Sequence, residues 1–195
     1  EFIEKNLDIN DNNFCVILNT SNHAPYTIDL KAENIFSDDI KVGHLIYSEK
    51  SLCSFINKMR EVESESLFII VGDHADRFNI EKDPSTYERF CIPIIIFGCG
   101  VKQDFFAENC AGSQIDILPT IIELIAPKNF EYYSVGKSLS ENEIGVNYQL
   151  FITKNFIGDA NKFPLEAERI FSDKNFEFNA EEVEKYINLV RGVSY

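Results

Sequence analysis

The sequence has no apolar run that approaches the roughly 20 residues of a membrane-spanning helix. Its first residues, Glu-Phe-Ile-Glu-Lys, do not have the pattern of a secretory signal peptide. Basic residues are also scarce, because 18 Lys and Arg stand against 32 Asp and Glu, which gives a formal net charge of -14. Nucleic acid and anionic membrane surfaces are bound through basic patches, so this balance argues against both as partners. We expect the chain itself to be soluble.

The five cysteines include no Cys-x-x-Cys pair. An odd number without that spacing indicates neither a disulfide framework nor a zinc ribbon, and we expect buried free thiols where cysteines lie in apolar runs. The length of 195 residues suits one domain. We therefore expect residues 1–195 to form a single α/β domain, and the abrupt start close to a core strand indicates a fragment of a larger protein.

Three apolar runs predict buried strands at residues 14–18, 66–71 and 91–97. Between the first two, apolar residues three or four positions apart predict an amphipathic helix over residues 40–60, capped by Asp38 or Asp39. The order strand, helix, strand is that of a βαβ crossover and implies parallel pairing. Further helices are predicted over residues 116–125 and 179–190, and a strand-like pattern covers 148–156. The predicted fold class is α/β, with a mainly parallel sheet flanked by helices.

Candidate site residues follow the predicted strands. Asp73 and His74 come directly after the strand at residues 66–71, and ligands of open α/β sheets bind beyond the carboxyl ends of the strands. A carboxylate and a neutral imidazole suit a divalent ion such as zinc or manganese, the alternative being a turn with a solvated carboxylate. His23 follows the strand at 14–18, and we expect it to lie within about 10 Å of His74 in one cleft. Its alternative role is to fix the turn through backbone hydrogen bonds.

Two further sets of residues complete the candidates. Arg77 and Lys82 lie in the loop after His74 and could hold an anionic substrate group, although a solvated charge is the default for each. Asp116 makes a good N-cap for the helix predicted over residues 116–125, with Pro119 in its first turn.

Three motifs stand together in the chain: Asn-His-Ala-Pro-Tyr at residues 22–26, Gly-Asp-His at 72–74, and Gln-Ile-Asp-Ile-Leu-Pro-Thr at 114–120. In this order and spacing they resemble the C-terminal half of the catalytic domain of the alkaline-phosphatase/sulfatase superfamily. The branch that looks most similar is that of the lipoteichoic-acid-synthase-like phosphoglycerol transferases, with phosphoethanolamine transferases and sulfatases as cousins. The resemblance covers residues 14–139 and leaves residues 140–195 as a C-terminal extension.

The resemblance implies that Asp73 and His74 complete a metal site whose other ligands, an acidic residue and a Thr, Ser or modified-Cys nucleophile, come from an upstream half of the same protein. It implies one divalent ion: manganese or zinc, or calcium or magnesium in a sulfatase. Such an ion lowers the pKa of a bound hydroxyl and neutralises charge that grows on the transferred group. His23 is implied to be a catalytic residue that binds the phosphate or sulfate or assists the leaving group. Asp116 is implied to be a cap or a support behind the ligands.

The chain departs from that family in several places. Ala75 stands where the family usually has Gly, while Cys91 and Gln114 stand where some branches carry His. The loss of both histidines favours a single ion over two. No strand of this chain resembles the family's N-terminal metal strand or its nucleophile motif.

The leading interpretation is the metal-binding half of an enzyme that transfers phosphoglycerol or phosphoethanolamine from an anionic phosphate ester to a cell-envelope glycan or lipid. One alternative is a sulfatase that hydrolyses sulfate esters. The other is a degenerate, non-catalytic domain that binds an anionic glycan. The family's habit implies the extracytoplasmic face of a membrane-anchored bacterial protein. We expect the isolated chain to be inactive, because it carries only part of the site.

Overall fold

The computed structural model describes residues 11–75, 83–171 and 176–192. The chain divides into two compact units, residues 1–66 and 67–195. Helices and strands both occur, so the structure is mixed α/β, as the sequence predicts at this level. Among the described residues, no helix has the length and apolar character needed to cross a membrane.

The first unit contains one long helix, α1 (Ile40–Val62), close to the predicted bounds. Asp39 caps it, because its carboxylate accepts hydrogen bonds from the backbone N–H groups of Lys41 and Val42. The predicted apolar face is buried only in part. Met59 is buried, together with Gly43, His44 and Ser48. Ile40, Val42, Leu45 and Leu52 are exposed over 37 to 53 % of their surface.

Residues 14–18 do not form the predicted strand. Phe14, Val16 and Leu18 expose 76, 83 and 78 % of their surface. An apolar run becomes a strand only where a neighbouring ladder pairs with its backbone, and no described strand pairs with this one. The predicted βαβ crossover is therefore wrong, because its first strand is missing.

The second unit contains two sheets among the described residues, and both are antiparallel. The first consists of β1 (Leu67–Val71) and β2 (Ile94–Gly98), with Leu67 opposite Gly98 and Val71 opposite Ile94. The strands themselves were predicted, but the mainly parallel sheet is wrong for the described strands. The described part of residues 72–93 contains one five-residue helix, α2 (Thr86–Phe90). After it the chain returns beside β1 in the opposite direction.

The second sheet is a four-stranded meander. Its strands, in spatial order, are β3 (Ile144–Val146), β4 (Leu150–Thr153), β5 (Phe156–Asp159) and β6 (Glu168–Arg169). The single strand-like pattern at residues 148–156 is thus a hairpin, because the chain turns at Lys154 and Asn155 between β4 and β5. Two strands share one apolar stretch.

Two further helices of this unit confirm the predicted ones. A 3₁₀ turn (Gln114–Asp116) leads into α3 (Ile117–Ile125), and α4 (Ala180–Gly192) follows the meander. The meander and α4 share one hydrophobic core, whose buried members are Val146, Phe151, Ala160, Leu165, Val183, Tyr186 and Ile187.

The cap of α1 supplies a first test, because the sequence leaves Asp38 and Asp39 as alternatives and the structure selects Asp39. Asp39→Ala should lower the free energy of unfolding by about 1 kcal/mol, the usual contribution of an N-cap side chain. Asp38→Ala is the matched control, since Asp38 is exposed and makes no described hydrogen bond. Urea denaturation followed by helical circular dichroism measures both. Equal losses in the two variants would contradict the assignment.

Candidate metal and substrate site

Asp73 and His74 follow β1 and Gly72, and their side chains expose 74 and 51 % of their surface. His74 Nε2 lies 3.8 Å from Asp73 Oδ2. Two atoms that bind one tetrahedral zinc ion at about 2.1 Å are about 3.4 Å apart. The observed separation of the two donor atoms is slightly wider than this value.

The other polar atoms of the pair are held by local hydrogen bonds. His74 Nδ1 lies 2.8 Å from the carbonyl oxygen of Ala75, which can only accept, so Nδ1 carries the proton. In the neutral ring Nε2 then has the lone pair with which histidine binds a metal. Asp73 Oδ1 accepts the backbone N–H of His74 at 3.0 Å. A carboxylate oxygen and an imidazole nitrogen are donors that fit a divalent ion.

His23, in the first unit, has the same local arrangement. Its Nδ1 contacts the carbonyl oxygen of Ala24, which leaves Nε2 as the ring nitrogen that can face a ligand. The loop is tied to α1, because Ser48 Oγ donates to Asn22 Oδ1 at 2.8 Å. His23 is thus presented on an anchored loop with one nitrogen available to a substrate.

His44, in α1, has a structural role. It is 1 % exposed. Its Nδ1 donates to the carbonyl oxygen of Ile40 at 2.8 Å, and its Nε2 accepts the N–H of Ile28 at 3.3 Å. Both ring nitrogens are used, which leaves none for a ligand.

The structure brings Asp73 and His74 together but does not test the rest of the predicted site. His23 belongs to the first unit and the other two to the second, so their convergence stays a prediction. Arg77 and Lys82 lie outside the described residues. Across residues 11–75, 83–171 and 176–192, no group of three or more His, Cys, Asp or Glu could hold a metal. A catalytic zinc site takes about three protein ligands.

Asp116 immediately precedes α3, but its side chain does not cap that helix, which corrects the predicted role. Its Oδ2 accepts the N–H and the hydroxyl of Ser113 at 2.7 and 3.2 Å, and its Oδ1 accepts the N–H of Lys137 at 2.9 Å. Burial raises the pKa of Asp116, and these hydrogen bonds partly oppose the shift. The carboxylate is fully buried. It is therefore a structural centre, not an exposed metal ligand.

The surroundings of Asp116 are closely packed. A Cβ on Gly136 would overlap the carbonyl oxygen of Ile115, so only glycine fits there. Burial, with a smaller effect of the Asp116 charge, raises the pKa of Tyr186 to about 12. The phenol stays neutral in this pocket at physiological pH.

Gln114 is the residue that the sequence analysis missed as a contributor. Its Nε2 donates to the carbonyl oxygens of Gly72 and Asp73, each at 3.2 Å. The sequence shows Gln114 only as a substitute for a family histidine. A contact between residues this far apart in the chain leaves no periodic signal.

The described cysteines form no disulfide, as predicted, because all five are free. The expected burial is wrong for Cys15, which is exposed because residues 14–18 do not enter a sheet. Burial raises the pKa of Cys91 to about 11, so that thiol is protonated at neutral pH.

The solved structures that resemble this chain include the lipoteichoic acid synthase LtaP from Listeria monocytogenes, with a TM-score of 0.65 and 17 % sequence identity. The likeness covers 89 % of this chain and 50 % of the LtaP chain, so this chain spans half the length of that structure. No protein-family model matches the chain, and no curated protein matches it either. At this identity the likeness shows a shared fold.

Proposed function

We propose that this chain is the metal-binding half of the catalytic domain of a phosphoglycerol-type transferase of the sulfatase-like group. The observation that carries the proposal is the Asp73–His74 pair, with His74 Nε2 3.8 Å from Asp73 Oδ2 and His74 Nδ1 hydrogen-bonded to the carbonyl oxygen of Ala75. The pair follows the end of β1 in a chain that shares its fold with half of a lipoteichoic acid synthase. The substrate is an anionic phosphate ester, and the acceptor is a cell-envelope glycan or lipid.

Each candidate residue has a role in this proposal that follows from its chemistry. Asp73 supplies a charged oxygen ligand and His74 a neutral nitrogen ligand for one divalent ion, manganese or zinc. When bound, the ion would lower the pKa of a hydroxyl nucleophile and offset charge on the phosphoryl oxygens. In its protonated form His23 has an N–H at Nε2, which donates to a phosphate oxygen or protonates the leaving group. Arg77 and Lys82 hold the anionic substrate.

An upstream half of the same protein completes the site in this proposal. It supplies an acidic ligand and the nucleophile, which the described residues do not provide as a cluster. Two observations support it: this chain matches 50 % of LtaP, and Phe14, Val16 and Leu18 form an exposed apolar stretch of the kind that a partner segment covers. The parent protein would then act at the extracytoplasmic face of a bacterial membrane.

One second candidate has an observation in its favour. The absence of a three-ligand cluster among the described residues is what a degenerate, non-catalytic domain would show if no upstream half completes the site. Such a domain would bind an anionic glycan through basic and imidazole side chains, for which the candidates are His23, Arg77 and Lys82.

The isolated chain provides the test. It should bind Mn²⁺ weakly and hydrolyse neither phosphodiester nor sulfate-ester model substrates, because two of about three ligands hold an ion poorly. Calorimetric titration measures the binding, with Asp73→Asn expected to remove it. Asp104→Asn is the matched control, since Asp104 is an exposed carboxylate of the same unit.

The outcomes separate the candidates. Phosphodiester turnover by the parent protein supports the proposal, and sulfate-ester turnover with calcium or magnesium supports a sulfatase instead. An inactive parent that still binds anionic glycan supports the non-catalytic domain. Tight, stoichiometric binding by the isolated chain would contradict the half-site.

A further inference from the structure

The backbone after β1 has an acceptor that its own sheet cannot satisfy. The register places Val71 opposite Ile94, so the next pair is Gly72 with Pro93. The N–H of Gly72 donates to the carbonyl oxygen of Pro93 at 3.4 Å. In an antiparallel pair the return bond would run from residue 93 to the carbonyl of Gly72, but proline has no N–H. The carbonyl oxygen of Gly72 is therefore left without a ladder partner.

The Gln114 amide occupies the missing position. Its Nε2 lies 3.2 Å from the carbonyl oxygen of Gly72 and 3.2 Å from that of Asp73. An amide NH₂ group has two N–H donors, so one side chain can satisfy both carbonyls. No backbone N–H of the described residues donates to either oxygen.

These two carbonyls belong to the two peptide planes on either side of the Asp73 Cα. Because each peptide unit is planar, fixing both planes fixes both backbone dihedrals of Asp73. The second plane also limits the rotation of His74. The direction in which Asp73 and His74 project their side chains thus depends on a contact from a distant turn.

The 3₁₀ turn that carries Gln114 is itself fixed by hydrogen bonds to the Asp116 side chain. The buried Asp116 carboxylate binds the N–H of Ser113, directly before Gln114, and the N–H of Lys137. The 3₁₀ turn is therefore tied to the body of the second unit, and Gln114 reaches the loop from a fixed base.

We infer that Gln114 is a positioning residue that holds Asp73 and His74 in the arrangement suited to one ion. The hydrogen bonds from Gln114 to the Gly72 and Asp73 carbonyls carry the positioning role, and its consequence for metal binding rests on the proposed function. It gives a role to the position where some branches of the resembled family carry a histidine.

The first measurement needs no metal. In the complete 195-residue chain, Gln114→Met keeps the length of the side chain and removes both donors. Amide order parameters of Asp73 and His74 should fall from values near the rigid range of about 0.85 toward about 0.6. Gln103→Met is the matched control, because Gln103 is exposed and its side chain makes no described hydrogen bond. The melting temperature should stay unchanged, which a general loss of structure would not allow.

The second measurement uses Mn²⁺ alone. Bound Mn²⁺ is paramagnetic and broadens the NMR signals of the His74 ring. The Gln114→Met variant should need about tenfold more Mn²⁺ for equal broadening, because the loss of a residue that orients metal ligands typically lowers metal affinity by at least this factor. Adding Pro93→Ala restores an N–H opposite the Gly72 carbonyl, so the double variant should regain part of the lost order. Gln114→Glu is a second variant for the case in which Gln114→Met disturbs folding. Its carboxylate lacks N–H donors, so the order parameters of Asp73 and His74 should fall in this variant as well.

The order parameters test the positioning role of Gln114, and the Mn²⁺ broadening tests the proposed metal site, so each can be contradicted without the other. Order parameters that do not change in Gln114→Met or Gln114→Glu overturn the positioning role whatever the metal does. A loss of order without any broadening of His74 in the wild-type chain retains the positioning of the loop and overturns the proposed metal site.

Discussion

Asp116→Ala is expected to lower the free energy of unfolding by about 3 kcal/mol at neutral pH, because buried donors then lose their acceptor. The N–H groups of Ser113 and Lys137 both end on this carboxylate in a place closed to water. Urea denaturation followed by tyrosine fluorescence measures the loss, since the chain has no Trp. Asp104→Ala is the matched control, and this exposed carboxylate should contribute less than about 0.5 kcal/mol. Similar losses in both variants would contradict the structural role of Asp116.

The stability difference between wild type and Asp116→Ala should depend on pH, and the raised pKa of Asp116 fixes the sign of this dependence. The pKa of Asp116 in the folded chain lies above its ordinary value of 3.8, so the folded state binds the proton more tightly than the unfolded state. The contribution of this group to stability is therefore fully present below pH 3.8 and falls as the pH rises through the folded pKa. The stability gap between wild type and Asp116→Ala should narrow across that window. A gap that widens with pH would show that the hydrogen bonds outweigh burial.

His74→Ala in the parent protein should lower kcat/KM for phosphodiester substrates by about 10³-fold, the effect of losing several kcal/mol of metal stabilisation in the transition state. The side chain is 51 % exposed, so the melting temperature should change little. Steady-state kinetics with a chromogenic diester, at an Mn²⁺ concentration that just saturates the wild-type parent, measure the loss.

The control for His74→Ala is Asp104→Ala in the same parent, which should retain full activity because Asp104 is exposed and lies outside the candidate site. Full activity of the His74 variant would overturn the mechanism. Partial rescue by raised Mn²⁺ would support it, since excess ion compensates for a lost ligand by mass action.

Local features of the structure were predictable from the sequence. The helix α1 begins where Asp39 offers a cap, and α3 begins near Pro119. The strands β1 and β2 form where β-branched residues are dense. The order Gly72, Asp73, His74 after β1 placed two donor atoms beside each other, because neighbouring residues at a strand end cannot be far apart. Each of these depends on residues within a few positions of one another.

The tertiary structure decided everything that depends on a partner distant in the chain. Residues 14–18 are as apolar as β1, yet no described strand pairs with them and they stay exposed. The direction of the β1–β2 pair depends on how the chain between them returns, which apolar periodicity does not record. Pro93 has no N–H to give to a ladder, but only the register shows that the Gly72 carbonyl loses this bond and that Gln114 replaces it. The sequence by itself thus determined the local elements and the adjacency of Asp73 and His74, while strand pairing, burial and the contact of Gln114 with their backbone were set by contacts between distant residues.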